Sequence, residues 1–556
     1  MKKRRTAVYK LLNPFTKPSG TDIILSCITV FRFAEQKNAK TAAHFNKKKH
    51  GRTEKMNTAI RYGILLLFVA AMSATGIISA RKIKSTEDFM LGGGRLGGWF
   101  SAFAYGTTYF SAVVFIGYGG SVSWKYGLSS VWIGIGNALI GTLAAWLILG
   151  KSTYRAMERY HSATMPEFFK NRYSSPLLCR AASLIMFIFL IPYSASVYSG
   201  LGILFDRAFN LPFNAVIISM ALLTAVYLVL GGYLAAAVND FIQGMIMLIG
   251  IIAVTCLIIF NPEIGGFTGG MAELERQSGE SGQALNSLFC FSPELAALII
   301  MTSLGAWGLP QMAHKFHAIK GECEIRKATV ISTVFSLIIA VGSYLIGTFG
   351  RVYMHGSMPL DASGKPNGDL VVPRILERVL TPLGAAGDVL FGIIAVMVLS
   401  ASMSTLSSIV LTSASSFSVD ILKKKDGGRS SINVLRGVCV ILIGASAALA
   451  LSNADAIVNL MSYSWGAVSG AFIGPYLWGV RLKKGMNVYG AWASVICAML
   501  ITLAGISGLS GLSAPMTGAA AIVCSLTVSP LVSALFSRCA AKRDAASAAG
   551  SAADAK

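Results

Sequence analysis

Leu399-Ser400-Ala401-Ser402-Met403-Ser404-Thr405-Leu406-Ser407-Ser408 packs six hydroxyl side chains into ten residues, in the middle of an apolar run over residues 388–412. A run of this length crosses a bilayer core of about 30 Å as one helix, with every backbone polar group satisfied internally. Positions 401, 404, 405 and 408 are spaced i, i+3, i+4, i+7 and share one helix face. Two readings fit such a stripe. The hydroxyls can bond back to carbonyls of their own helix and let neighbouring helices pack closely. Alternatively they offer hard oxygen ligands to a small cation, together with carbonyls from unwound backbone nearby.

Working outward, further apolar runs fall at residues 59–80, 98–121, 128–149, 178–202, 215–230, 243–260, 295–312, 329–347, 434–450, 458–480, 491–506 and 518–536. The chain is therefore predicted to be an all-α integral membrane protein with about thirteen transmembrane helices. Hydrophobic residues make up 54% of it and charged residues 13%, which leaves little material for a water-solvated domain. The formal charge of +23 does not argue for nucleic acid, because Lys and Arg are spread over short loops between apolar runs. Nine cysteines show no metal-type spacing, and no structural disulfide is expected.

Basic loops at 81–84, 151–172, 315–327, 423–429, 481–484 and 538–543 are assigned to the cytoplasm. The alternate loops, 261–294 with Glu263, Glu273, Glu275 and Glu280, and 351–387, fall outside. In a cell (plasma) membrane the first span then begins outside and the C-terminus ends inside. Residues 1–55 conflict with this, since Lys2, Lys3, Arg4, Arg5, Lys10 and the lysines at 47–49 would have to cross the membrane first. They are expected to be an extension upstream of a start at Met56. The membrane domain then covers 56–536, and the Ala/Ser-rich 537–556 is expected to be a disordered cytoplasmic tail.

Two nucleotide-binding look-alikes are set aside. Gly92-Gly93-Gly94-Arg95-Leu96-Gly97 spells a dinucleotide fingerprint, but no strand precedes it. Gly150-Lys151-Ser152 resembles the end of a phosphate loop, but Ala145 stands where the first glycine belongs. With no zinc constellation and no nucleophile elbow either, an enzyme is not expected. Two other features point toward transport. Phe103-Ala104-Tyr105-Gly106-Thr107-Thr108-Tyr109-Phe110-Ser111-Ala112 interrupts a span with small and polar residues, as a broken helix would. Asp240, near the start of the span at 243–260, is an ionisable residue near membrane depth; it serves either a function or merely the positive end of its helix.

These residues together resemble the sodium:solute symporter family, which includes sodium/proline, pantothenate, sialic acid and glucose symporters. The markers are residues 85–94 (Ser-Thr-Glu-Asp-Phe-Met-Leu-Gly-Gly-Gly), the segment from Gly231 to Gln243, Gly308-Leu309-Pro310-Gln311, Ser402 to Ser408, and residues 465–475 from Trp465 to Pro475. The resemblance implies a LeuT-type fold of two inverted five-helix repeats, near 98–260 and 295–480, with one helix before them and two after. It implies alternating access around a midplane site and sodium as the coupling ion. Carried over by motif, the sodium ligands are the carbonyls of Thr107, Phe110 and Ala401 and the hydroxyls of Ser404 and Thr405. A second sodium, as in sialic acid transporters, falls on Ser404, Ser407, Ser408 and Asp240.

For the solute, Tyr109 stands where sodium/proline symporters have an aspartate. Thr302 and Ala306 replace their Trp and Tyr. The expected cavity is lined by Thr108, Tyr109, Ser111, Tyr193, Tyr198, Thr302 and Trp307, a neutral set suited to a small polar solute such as an amino acid or a small organic acid. The expected partners are this solute, sodium and the lipid bilayer, with no nucleic acid and no obligate protein partner. The rival reading is a sensor that keeps the transporter fold; its usual mark, a kinase, ATPase or receiver module, is not recognisable after the last span.

Overall fold

Three interruptions shape the interior, and each has a local cause. The helix Gly98–Tyr109 stops at Phe110, whose backbone is extended (φ −108, ψ 115), and a π-type helical stretch resumes over Val113–Val122. Ser111 restarts it: its Oγ accepts the amide of Val113, and its carbonyl accepts those of Val114 and Phe115. In an unbroken helix the amide of Ala112 would bond to the Thr108 carbonyl; here it goes to Ser402 Oγ. The second interruption is Gly232 (φ 53, ψ −151) within Phe213–Ile259, where a Cβ would stand 2.8 Å from the Phe89 carbonyl oxygen. At the third, Leu309 is extended ahead of Pro310, which has no N–H to give and bends Pro293–Gly308 against Pro310–His317 by 48°.

This is a computed structural model; the residues described are 61–553 apart from 82, 84, 95, 210, 362–363, 423–428, 453–455 and 483–484. The extension 1–55 and the expected start at Met56 lie outside them. Among the described residues there is no strand, only the isolated bridges Leu96 to Ile319 and Leu360 to Pro366. The serine-rich helix Gly384–Ser416 forms the axis of the bundle: its apolar stretch is 83% buried, against 22% for the peripheral helix Arg61–Ala80. Exposed Leu66, Ile78, Leu222, Ile249, Ile441, Leu500 and Leu531 form an apolar exterior that suits lipid and not water.

Length and apolarity pick out nine spans among the described residues, or ten with the bent pair, against about thirteen expected. The difference has a physical origin. Gly98–Tyr109 is short because the chain breaks at Phe110, and Phe213–Ile264 joins two expected spans through Gly232. Ile457–Arg481 is long enough but rich in Gly, Ser, Trp and Tyr. Beyond Phe536, where composition argued for a disordered tail, the last helix continues to Ala553, in keeping with the high helix propensity of alanine.

The two ends of the bundle differ. At the end carrying the loop 261–294, the Leu128 amide donates to the Leu285 carbonyl at 2.8 Å, and Arg351 Nη1 donates to the Trp124 carbonyl at 2.8 Å. At the end carrying the basic segment 151–172, a cavity of about 500 Å³ opens between Met90, Met157, Glu158, His161, Glu167 and His317. A narrower pocket shares Met90, Met157 and His317 with it and reaches Pro310 and Thr412, one turn from Ser408.

Candidate ion and solute site

The interrupted helix Gly98–Tyr109 lays its last carbonyls against the serine-rich helix. Ser404 Oγ lies 2.9 Å from the Thr107 carbonyl oxygen and 3.0 Å from that of Ala401. Thr405 Oγ1 lies 3.3 Å from the Thr107 oxygen, 3.1 Å from the Thr108 oxygen and 3.0 Å from the Ala401 oxygen. Each hydroxyl owns one proton, so two protons face five oxygen contacts and cannot serve them all at once. A buried cluster rich in oxygen and poor in hydrogen is what a small hard cation satisfies. Phe110 stands at the break, where its backbone leaves the helical direction. Thr107, Ala401, Ser404 and Thr405 thus come together as the family motif implies. Elsewhere on the helix the plainer reading holds, since Ser402 donates to the Val398 carbonyl and Ser407 to that of Ser404.

Tyr109 joins the first and third interruptions: its hydroxyl donates to the Thr302 carbonyl at 2.7 Å, within the bent pair's first half. Its ring stacks on Phe110 and on Trp465 (centroids 4.8 and 6.4 Å), and Tyr193 meets Trp465 edge-on at 5.8 Å. The other expected lining residues make these contacts. Thr108 Oγ1 pairs with Ser408 Oγ at 2.9 Å, and Ser111 is used in restarting its helix. Tyr198 neighbours Thr224 and Tyr227. Trp307 donates to the Ile140 carbonyl at 2.9 Å, on the same face as Ser303, which donates to Asn137. Trp465, quoted above only as part of a motif, belongs to the aromatic group.

Two placements differ from those expected. Because the chain re-enters a helix directly after Gly232, Asp240 sits two turns inside it and not at its start. Loop charge alone places Lys315 in a basic loop; it is instead buried on Pro310–His317, because the break at Leu309 lets the helix run on past residue 312. Its Nζ donates to Ser408 Oγ at 2.9 Å and lies 3.6 Å from Asp240 Oδ2. The available signal was the Gly308-Leu309-Pro310 break, which extends a span that hydropathy alone ends too early.

A membrane bundle with paired interrupted helices, whose freed carbonyls face a hydroxyl-rich central helix, defines a secondary transporter. The profile of the Sodium:solute symporter family matches residues 89–498, and the chain belongs to that family. It is 26% identical to the sodium/proline symporter of Escherichia coli (strain K12) over 79% of this chain and 86% of that one. It is 27% identical to the osmoregulated proline transporter OpuE of Bacillus subtilis (strain 168), over 77% and 85%. Among solved structures, a Na+-coupled sialic acid symporter in a substrate-bound outward-open state superposes with a TM-score of 0.68 at 19% identity, covering 86% of this chain and 98% of that one. That likeness shows the fold, the LeuT-type arrangement. The chain is a sodium-coupled transporter by family, not an enzyme.

Proposed function

We propose that the protein couples sodium entry to uptake of a small polar organic solute, an amino acid or a small organic acid, by alternating access across the cell membrane. The observation that carries this is the convergence of Thr107, Ala401, Ser404 and Thr405 oxygens at the helix break. Sodium is held there, with Phe110 supplying a further carbonyl, and the solute lies beside it against Tyr109, Tyr193, Thr302 and Trp465. Loop charge supports an N-terminus of the first span outside and a cytoplasmic C-terminus, so the cavity near His161 and His317 opens inward.

Mechanistically, the ion exchanges hydroxyl-to-carbonyl hydrogen bonds for direct ligation and so fixes the broken helix against Gly384–Ser416. That fixes Tyr109, three residues before Ala112 and bonded to Thr302 on the other repeat, in the geometry the solute meets. Ion and solute then raise each other's affinity by the same factor. The curated relatives are named for proline, but Tyr109, Thr302 and Ala306 give this cavity a different lining.

The test is a thermal-shift screen of the purified protein against small polar metabolites, proline included, with and without sodium. A bound solute raises the melting temperature by mass action, and more so when sodium is present. Stabilisation by no compound, or by compounds equally well in potassium, would remove the coupled-uptake reading.

A further inference from the structure

Lys315 and Asp240 are a cation and an anion placed in the same interior, each with its side chain only 1% exposed. The Lys315 ammonium has three donors. One reaches Ser408 Oγ at 2.9 Å, one faces Asp240 Oδ2 at 3.6 Å, and the group lies 4.9 Å from the Tyr233 ring centroid, within cation–π range. Among the described residues neither Asp240 oxygen accepts a hydrogen bond. A carboxylate so buried is strongly disfavoured without a cation beside it.

We propose that the Lys315 ammonium is a tethered cation standing between Asp240 and Ser408 in place of a second sodium ion, so that the protein binds one sodium per transport cycle. This rests on the sodium-coupled reading above. Two of the four side chains implied for a second ion, Asp240 and Ser408, are the lysine's own partners. The other two, Ser407 and Ser404, face the neighbouring oxygen cluster: Ser407 donates to the Ser404 carbonyl, and Ser404 to Thr107 and Ala401. A sodium ion about 4 Å from the ammonium would be repelled by enough to weaken its binding on the order of a thousandfold. The lysine also ties three elements together: the helix after Gly232, the second half of the bent pair, and Gly384–Ser416. Through Ser408 it touches Thr108 Oγ1 at 2.9 Å, the residue whose carbonyl accepts from Thr405 in the ion cluster.

The experiment is equilibrium binding of radioactive sodium to the purified full chain, with the number of ions per protein read at saturation. The wild type is expected to bind one, and Ser404→Ala to weaken that ion at least tenfold. Lys315→Met leaves Asp240 and Ser408 without their cation; it should bind two ions and gain more thermal stability from sodium than the wild type does. If Lys315→Met does not fold, Lys315→Met/Asp240→Asn removes both charges together and should still bind one ion with the wild-type midpoint. Two ions in the wild type, one in a folded Lys315→Met, or loss of the ion in the double variant would each overturn the inference. Two ions in the wild type with one still lost in Ser404→Ala would leave the main sodium reading standing, whereas no ion in the wild type removes both.

Discussion

The two ends of one hydroxyl stripe solve the problem of polarity inside a membrane in opposite ways. Around Ser404 and Thr405 every group is a neutral oxygen, and the cluster is short of protons. One turn further on, around Ser408, the two ionisable side chains Asp240 and Lys315 face each other at 3.6 Å. Neutral oxygens need no permanent partner, because hydroxyls can donate to carbonyls in the interim, so such a cluster can gain and lose an ion within a cycle. A buried carboxylate has no such freedom, and the chain provides its cation covalently. Reversible ion binding is thus expected from the end without formal charge, although an intramembrane aspartate would ordinarily attract attention first.

The sharpest way to break this contrast is at the charged end. Lys315→Ala leaves the Asp240 carboxylate uncompensated and should lower stability in sodium-free buffer by about 3–5 kcal/mol. Adding Asp240→Asn should recover most of that loss. Urea or thermal unfolding of the single variants and the pair measures the coupling directly. If the effects of the two substitutions simply add, the charges do not form a pair.

At the neutral end, Ser404→Ala or Thr405→Ala removes one ligand with almost no change in volume. The loss of a hydrogen-bond-grade contact to a charge is worth about 1.5–3 kcal/mol, so half-saturation by sodium should move roughly tenfold to a hundredfold higher while stability without sodium changes little. An unchanged sodium titration in both variants would return this stripe to a packing role.

Gly232 sharpens the contrast from a third side, since its break sets where Asp240 falls. Gly232→Ala has to place a Cβ at φ 53 beside the Phe89 carbonyl and should cost about 1–3 kcal/mol in unfolding experiments. The smallest expected effect lies outside the membrane. The Arg276 guanidinium holds the Glu273 carboxyl down at about 2, so this pair contributes above the ordinary carboxylate value and loses its contribution as pH falls toward about 2. Both side chains are solvent-accessible, so Arg276→Ala should change stability only slightly at neutral pH and leave sodium binding unchanged.

The fold was legible because apolar length is a property of contiguous sequence. The break at Phe110 was legible for the same reason, since it follows small and polar residues within a span; the bend at Pro310 and the break at Gly232 were not drawn from the sequence, although Pro310 carried the signal. The shared face of the hydroxyl cluster could be anticipated because its spacing, 401 to 404 to 405, is a helix periodicity; its meeting with Thr107 was implied only by the resemblance. Lys315 could not be read this way. Its partners, Asp240 and Ser408, lie far away in sequence, and the loop-charge rule treats every lysine at a span's end as solvated. A residue's presence on a lining helix likewise does not fix which side of that helix it occupies: Trp307 turns toward Ile140, and Tyr198 neighbours Thr224 and Tyr227.

Trp465 has a practical consequence. Its indole is 1% exposed, stacked on Tyr109 and met edge-on by Tyr193, so its emission depends on the two rings placed nearest the proposed solute and on the helix break beside the proposed ion. The protein therefore carries an optical reporter of its own. Comparing ultraviolet emission spectra of the native chain and Trp465→Phe isolates that signal from the other tryptophans. Sodium arrival can then be followed in real time, without a dye and before the solute has been identified.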